Sequence, residues 1–402
     1  MVDGPRALVI GGSIAGLLAA LLLRRSGWQV RVHERALGDL AGRGAGLGVS
    51  QELLDIMARA GAPFAPSALV PQRTHVWMEK DGSICFEHRR NLMASAWARV
   101  YQPLRAALPA AIYRQGSVIE RVEQDRERVS AVFAGGARET AELLVAADGA
   151  HSTVRRQLLP GVEPAFAHYV AWRGLVEERE MPPETLAAVE GRLVFCFPPG
   201  EMLLCMVAPG AGEETRALER RLYFIWYRHV APERLAGLFT DASGRNHGMS
   251  IAPPLIRSEV VRELKEHARE VLPAAIAHVV RAVAQPLLQA ISDMETPRMA
   301  FGRVALAGDA AFVVRPHVAG GAGKAAMDAA ALVDSLAQSA DLAAALASYE
   351  RQQLDFGSRI VRHSRVLGAD LEGRPSARDP ARIIRDYGAP NILHDVRAAR
   401  DS

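Results

Sequence analysis

Apolar positions fall into two rhythms along this chain. Residues 7–10, Ala7-Leu8-Val9-Ile10, form an unbroken apolar run of the kind that suits a parallel strand buried on both faces, and 143–147 and 304–307 repeat it. Between about 166 and 294 the runs become short strand candidates, at 169–177, 193–197, 202–207 and 221–227. They are followed by helical patterns over 260–272 and 274–283 and by a strand over 285–294. Residues 75–88 alternate on either side of Asp81-Gly82, which predicts a hairpin. A helix is expected over 96–108 despite Pro103, and a small antiparallel sheet over 117–135. The class is α/β.

The first apolar run leads into Gly11-Gly12-Ser13-Ile14-Ala15-Gly16, then a helix ended by Gly27, then a strand over 29–33 that stops at Glu34. Strand, glycine loop, helix and strand make one βαβ unit. A dinucleotide loop needs a glycine for the turn, a second small residue for approach to the pyrophosphate and a third for helix–strand packing; Gly11, Ser13 and Gly16 hold those places. The helix N-terminus can present N–H groups to phosphate. Glu34, about 20 residues on, suits a ribose hydroxyl. This unit alone does not choose between NAD and FAD.

Two later segments bear on that choice. The run 143–147 ends in Asp148-Gly149-Ala150-His151-Ser152, a turn with Ser152 placed to cap a short helix carrying Arg155. The run 304–307 ends in a Gly308-Asp309 turn, a Pro316-containing loop, and a small-residue helix start at Gly320-Gly321 leading to Asp328. In a flavin site this turn would let the Asp309 carboxylate meet the ribityl hydroxyls, and the Gly320-Gly321 backbone would approach the ring edge. Two nucleotide loops nearly 300 residues apart that must converge on one ligand point to a flavin enzyme.

Composition narrows the picture little. A net charge of +3 over 402 residues indicates neither a nucleic-acid binder nor an acidic-tail protein. Three cysteines without Cys-x-x-Cys spacing argue against a disulfide framework and a cysteine zinc site, and suggest a reducing cytoplasm. No carboxylate or His-x-x-His cluster suggests a metal. The longest apolar run, 17–23, is too short to span a bilayer, and the opening residues lack signal-peptide order.

With these pieces in order, the chain resembles the single-component FAD aromatic hydroxylases of the para-hydroxybenzoate hydroxylase superfamily over about residues 5–355. Gly11 to Gly16, Ala171-Trp172-Arg173-Gly174, Phe224-Ile225-Trp226-Tyr227-Arg228 and Arg315-Pro316-His317 look like the branch that includes 2,6-dihydroxypyridine hydroxylase. Two departures stand out. Phe312 follows Gly308-Asp309-Ala310-Ala311 where the superfamily commonly has His, and Ala319-Gly320-Gly321-Ala322-Gly323 replaces Gly-Gln-Gly-Met-Asn.

The resemblance implies a Rossmann-like FAD-binding domain (1–70, 96–165 and 295–355) with an interleaved β-sheet substrate domain (71–95 and 166–294) and a C-terminal helix and tail (356–402). That tail is expected to be solvated or to contact a second copy, and is given no chemistry. The implied cofactor residues are Gly11, Ser13, Ile14, Ala15, Gly16, Glu34, Arg35, Gly46, Tyr101, Gln102, Val118, Asp148, Gly308, Asp309, Pro316, Ala319, Gly320, Gly321 and Ala322, with Tyr101 and Gln102 facing the cofactor.

The implied reaction is reduction of FAD by NADH or NADPH, addition of O2 to give a flavin C4a-hydroperoxide, and oxygen transfer to a small aromatic ring. No nucleic-acid or membrane partner is implied, and a homodimer is allowed. Because a phenol attacks best as its phenolate, the site needs a base or a proton path. His317 is the first candidate, with His75, His168 and His229 as alternatives. Tyr227 and Trp226 are candidates for lining the pocket, and Arg173 and Arg315 for steadying an anionic substrate or flavin oxygen. An epoxidase, an amine oxidase and a flavin redox sensor without turnover remain as competing readings.

Overall fold

The computed structural model describes residues 4–40, 46–65, 69–210, 214–373 and 379–387. Buried apolar runs build a six-stranded sheet in the order Ala300–Phe301, Val304–Leu306, Leu143–Ala146, Arg6–Ile10, Gln29–His33 and Tyr113–Arg114. All neighbouring pairs are parallel except the first. Helix Ile14–Arg25 is buried from Ile14 to Leu23 because the sheet covers one side and helix Gly321–Gln338 packs on another. Strands Ile119–Gln124, Val129–Phe133 and Arg138–Ala141 form a separate three-stranded sheet. This half is the doubly wound α/β unit that the apolar runs predict.

The second half is a ten-stranded sheet whose core pairs are antiparallel: Ala165–Glu177 with Arg221–His229, and that strand with Glu201–Ala208. Alternation along these strands makes two faces. Val170, Trp172, Leu222, Phe224, Trp226, Leu203 and Cys205 pack outward under helices Ser258–Val271 and Ala274–Ala282. Tyr169, Ala171, Tyr223, Ile225, Tyr227 and Leu204 point to the opposite, inner face. Trp226 therefore does not line a pocket with Tyr227: a one-residue step on a strand reverses the side chain, and Trp226 stacks on His267, ring centroids 5.4 Å apart. The hairpin around Asp81-Gly82 is longer than its alternation suggests, with strands Val70–Met78 and Ile84–Ala96. Strand Gly46–Val49 pairs with the latter and so joins the lid sheet, although it lies within the range read as FAD domain.

The C-terminal part is not a solvated appendage. Helix Leu342–Gly368 starts with Asp341 accepting from the Ala344 N–H at 2.8 Å, and buries Tyr349, Phe356, Gly357, Ile360, Val361 and Leu367. Arg365 bridges from it to Asp293 and Glu295 on the strand that returns from the lid. Chain continuing past this helix lays the short helix Pro380–Asp386 on strands Val70–Met78 and Ile84–Ala96, burying Ile383, Ile384 and Tyr387 on the lid's inner face. Residues 388–402 of the tail lie outside the described residues.

Candidate active site

Three sequence segments converge on one place. Ala15 of the first loop, Ala147 before Asp148 and Ala325 of the third segment form a cluster of their own, and a Cβ at Gly308 would lie 2.7 Å from that of Ala15. Gly11 turns with φ +105°, and a side chain there would meet the Ala147 carbonyl at 2.1 Å. Gly16 allows the helix to pass over the loop: its Cβ would sit 1.9 Å from the Gly11 carbonyl oxygen. Neither place tolerates an alanine.

Polar groups then hold the loops. Glu34 accepts from the Gly12 and Ala36 N–H groups, each at 2.8 Å, which orients the carboxylate at the mouth of the first loop. Tyr113, which the sequence did not single out, donates to the Gly12 carbonyl at 3.4 Å and is covered by the Arg105 guanidinium. Asp148 accepts from the Thr153 N–H at 2.8 Å, while its Oδ1 is buried without a partner. Arg155, fully buried, donates to the carbonyls of Ala150, Val162 and Ala310, tying the second segment to the third.

The Gly308-Asp309 turn rests on a buried ion pair that spacing alone had not revealed. Asp328 accepts from the Gly308 N–H at 2.8 Å and from Lys324 Nζ at 2.8 Å, and Lys324 donates to the Gly308 carbonyl at 2.9 Å. Both backbone polar groups of Gly308 are thus held by one i,i+4 pair. Asp309 keeps an exposed surface although protein surrounds its carboxylate, as expected for a group facing a recess; enclosure pushes its pKa up, Lys324 opposes this, and Asp328 adds to it. No side chain caps helix Ile14–Arg25 or helix Gly321–Gln338, and a Cβ at Gly321 would meet nothing within 4 Å. Uncapped helix starts, an orphaned carboxylate oxygen and an acid facing a recess fit a flavin dinucleotide.

The remaining positions are less uniform. Ser13 and Ile14 lie at the uncapped helix start, while Pro316, Ala319, Gly320 and Ala322 follow the Gly308 turn, Ala319 in a left-handed conformation with φ +47°. Gly46 lies against the Tyr223 ring, and Arg35, Gln102 and Val118 are exposed. Tyr101 does not present its ring to open space: it is buried, stacks on Trp97 with centroids 4.9 Å apart, and interacts with Tyr113 behind the first loop. Phe312 is fully buried against Gly357, where a Cβ would sit 2.4 Å from its ring. At this position the chain has a packing residue in place of an imidazole.

Above the loops, Ala319 packs in the same cluster as Tyr223 and Tyr227 of the lid. His317 is fully buried there; its Nε2 is 2.8 Å from the Tyr169 hydroxyl, its ring centroid is 4.4 Å from that of Tyr227, and its Nδ1 has no partner. Burial, reinforced by the Arg315 charge, pulls its pKa down to about 3, so the imidazole is neutral. Arg315 itself is taken: it donates to Asp293 at 2.7 Å and Glu372 at 2.6 Å. His75 is buried beside Phe195 with Nδ1 3.3 Å from the Ile384 carbonyl, His168 follows Phe166 at φ +63°, and His229 is exposed near Leu371. Of the four histidines, His317 alone makes ring contacts with both inner-face tyrosines, Tyr169 and Tyr227. Strand alternation from Arg173 and Tyr227 was the signal that could have found Tyr169 and Tyr223.

A dinucleotide fold whose three loops meet beneath an aromatic-lined lid defines a flavin-dependent oxidoreductase. Comparison with known proteins agrees. An FAD binding domain family model matches residues 257–364, and an FAD binding domain-like model matches 166–293. The 2,6-dihydroxypyridine 3-monooxygenase of Paenarthrobacter nicotinovorans is 30% identical over 396 residues, 96% of this chain and 96% of that protein. The 6-hydroxynicotinate 3-monooxygenase of Bordetella bronchiseptica is 27% identical, covering 90% of this chain and 91% of its own. The solved structure of 2,6-dihydroxypyridine-3-hydroxylase from Arthrobacter nicotinovorans matches with a TM-score of 0.86 at 29% identity, covering 94% and 95% of the two chains. The chain belongs to the FAD-dependent aromatic-ring monooxygenases, the para-hydroxybenzoate hydroxylase superfamily, in the branch of 2,6-dihydroxypyridine hydroxylase.

Proposed function

We propose that this enzyme hydroxylates a small hydroxylated N-heteroaromatic ring, of the hydroxypyridine class, with NADH or NADPH as electron donor. The carrying observation is the inner lid face, where Tyr169, Tyr227 and His317 sit against the Ala319 loop. Similarity to enzymes named for dihydroxypyridine and hydroxynicotinate supports the same substrate class. When bound, FAD supplies electron transfer from the nicotinamide and activation of O2.

The chain's own residues do the rest. Asp309 and the two uncapped helix starts would hold FAD, with Glu34 placed for a ribose hydroxyl. Apolar lid residues exclude water, so that the activated oxygen is spent on the ring. A ring hydroxyl must lose its proton to become nucleophilic. His317, a neutral imidazole that can accept a proton at one ring nitrogen as it releases one from the other, and the Tyr169 hydroxyl form a two-member relay for that proton, and Tyr227 borders the ring. Arg315 positions this pair from behind, fixed by Asp293 and Glu372.

Purified protein reconstituted with FAD should oxidise NADH or NADPH faster in the presence of 2,6-dihydroxypyridine or 6-hydroxynicotinate and yield a hydroxylated product. Flavin reduction without any ring hydroxylation across a hydroxypyridine panel would overturn the reading.

A further inference from the structure

We propose that Tyr387, brought by the C-terminal segment, is a substrate-specificity residue that with Arg173, Tyr223 and Tyr227 forms an anion-accepting end of the ring pocket. The inference rests on the proposed reading of that pocket as a ring site. Register places these groups: Arg173 opposes Ile225, while Tyr223 and Tyr227 lie one pair to either side on the same face. Tyr387 packs edge-on to Phe195, centroids 5.1 Å apart, within electrostatic reach of Arg173, Tyr223 and Tyr227.

Three other interior arginines have their charge met by the protein. Arg220 pairs with Glu178 and Glu190, Arg315 with Asp293 and Glu372, and Arg155 with three carbonyls. Arg173 differs, since no carboxylate among the described residues pairs with it. Its Nε and the hydroxyls of Tyr223 and Tyr227 are buried without hydrogen-bond partners, although Tyr223 lies beside the guanidinium. Protein surrounds Arg173 but leaves part of its surface open, so the group faces a recess.

An enclosed cation left unpaired is costly, and an anionic oxygen would accept from the guanidinium and from the phenol hydroxyls beside it at once. A ring with no oxygen at this end would leave the Arg173 Nε and the Tyr223 and Tyr227 hydroxyls unsatisfied, and a neutral oxygen would leave the charge uncompensated. The fitting occupant is an anionic oxygen on a planar ring, either a deprotonated ring hydroxyl or a ring carboxylate. The C-terminal segment is built to hold its tyrosine still: Asp379 caps helix Pro380–Asp386 at the Arg382 N–H, and Arg90 donates to the Arg385 carbonyl at 2.7 Å.

The test is equilibrium titration of the oxidised holoenzyme with 2,6-dihydroxypyridine and with 6-hydroxynicotinate, followed by the change in flavin absorbance. Tyr387→Phe is expected to weaken binding by about 10-fold and Arg173→Gln by about 100-fold, with flavin content unchanged and the melting temperature of the ligand-free protein no lower, and Arg173→Lys should recover part of the loss. A loss for both ligands, or for 2,6-dihydroxypyridine alone, assigns the site to a ring oxygen; a loss confined to 6-hydroxynicotinate assigns it to the carboxylate. Wild-type affinity in both Tyr387→Phe and Arg173→Gln, or weaker binding that follows loss of flavin, overturns the inference while leaving the ring-pocket reading intact. Absence of any response from the wild-type flavin overturns the ring-pocket reading, and this inference with it.

Discussion

Around Gly308 the backbone N–H and carbonyl are both held by the Lys324–Asp328 pair, whereas on the inner face of the lid Arg173, Tyr223 and Tyr227 keep buried polar atoms without hydrogen-bond partners among the described residues. The cofactor half is preorganised from within, by glycine contacts and a closed ion pair. The lid holds polar groups in reserve for whatever enters. Reserve of this kind costs stability, and a folded chain retains it where a ligand repays it. The contrast separates the glycine-built loops from the lid face on which the proposed ring selection rests.

The sharpest way to break the first half is Gly16→Ala. Its Cβ would overlap the Gly11 carbonyl backbone, so a loss of about 3 kcal/mol or more is expected, read as a lowered melting temperature and loss of bound flavin. His317→Gln acts on the lid and leaves the cradle alone. Hydroxylation should slow by about 100-fold with flavin content retained, and equal turnover would remove His317 from the proton path. Asp309→Ala should do the reverse, weakening FAD retention by roughly 30-fold with little change in the melting of flavin-free protein; unchanged flavin occupancy would defeat that assignment.

Acid stability gives a smaller and subtler discrimination. In the unfolded chain His317 takes up its proton near its ordinary value of 6.5, but in the folded protein only near 3. Between these values the unfolded state binds more protons, so stability is full above the upper value and falls as pH drops through the window. His75, lowered to about 4 by burial, adds in the same direction. Melting temperature should therefore fall between pH 7 and pH 5, and His317→Gln should flatten that fall. An identical acid-side slope in the variant would show that the imidazole is not buried neutral.

Legibility in the sequence followed the physics of each region. Backbone demands at Gly11, Gly16 and Gly308 leave residue-level traces, because few side chains tolerate a left-handed turn or a contact this close. Strand alternation likewise carries the lid's two faces, and it separates Tyr227 from Trp226 once the sheet's covering helices are known. Tyr113, Lys324 and Tyr387 left no such trace. Tyr113 and Tyr387 act only on residues far along the chain, and although Lys324 stands at i,i+4 spacing to Asp328, nothing local marks its reach to the Gly308 carbonyl. Phe312 shows the opposite case: its departure from the family pattern was visible, but its reason, the slot at Gly357 on the long helix, was not.

What the sequence determined by itself was the α/β class, the flavin cradle and the family, since apolar periodicity and glycine spacing are local properties of the chain. What only the tertiary structure decided was which polar groups meet. It gave Arg315 two carboxylates and Arg173 none among the described residues, set His317 beside Tyr169, and packed part of a tail expected to be solvated or to contact a second copy onto the lid's inner face. The reason is that a buried charge is defined by its partners, and those come from segments whose approach is fixed by the packing of whole sheets and helices.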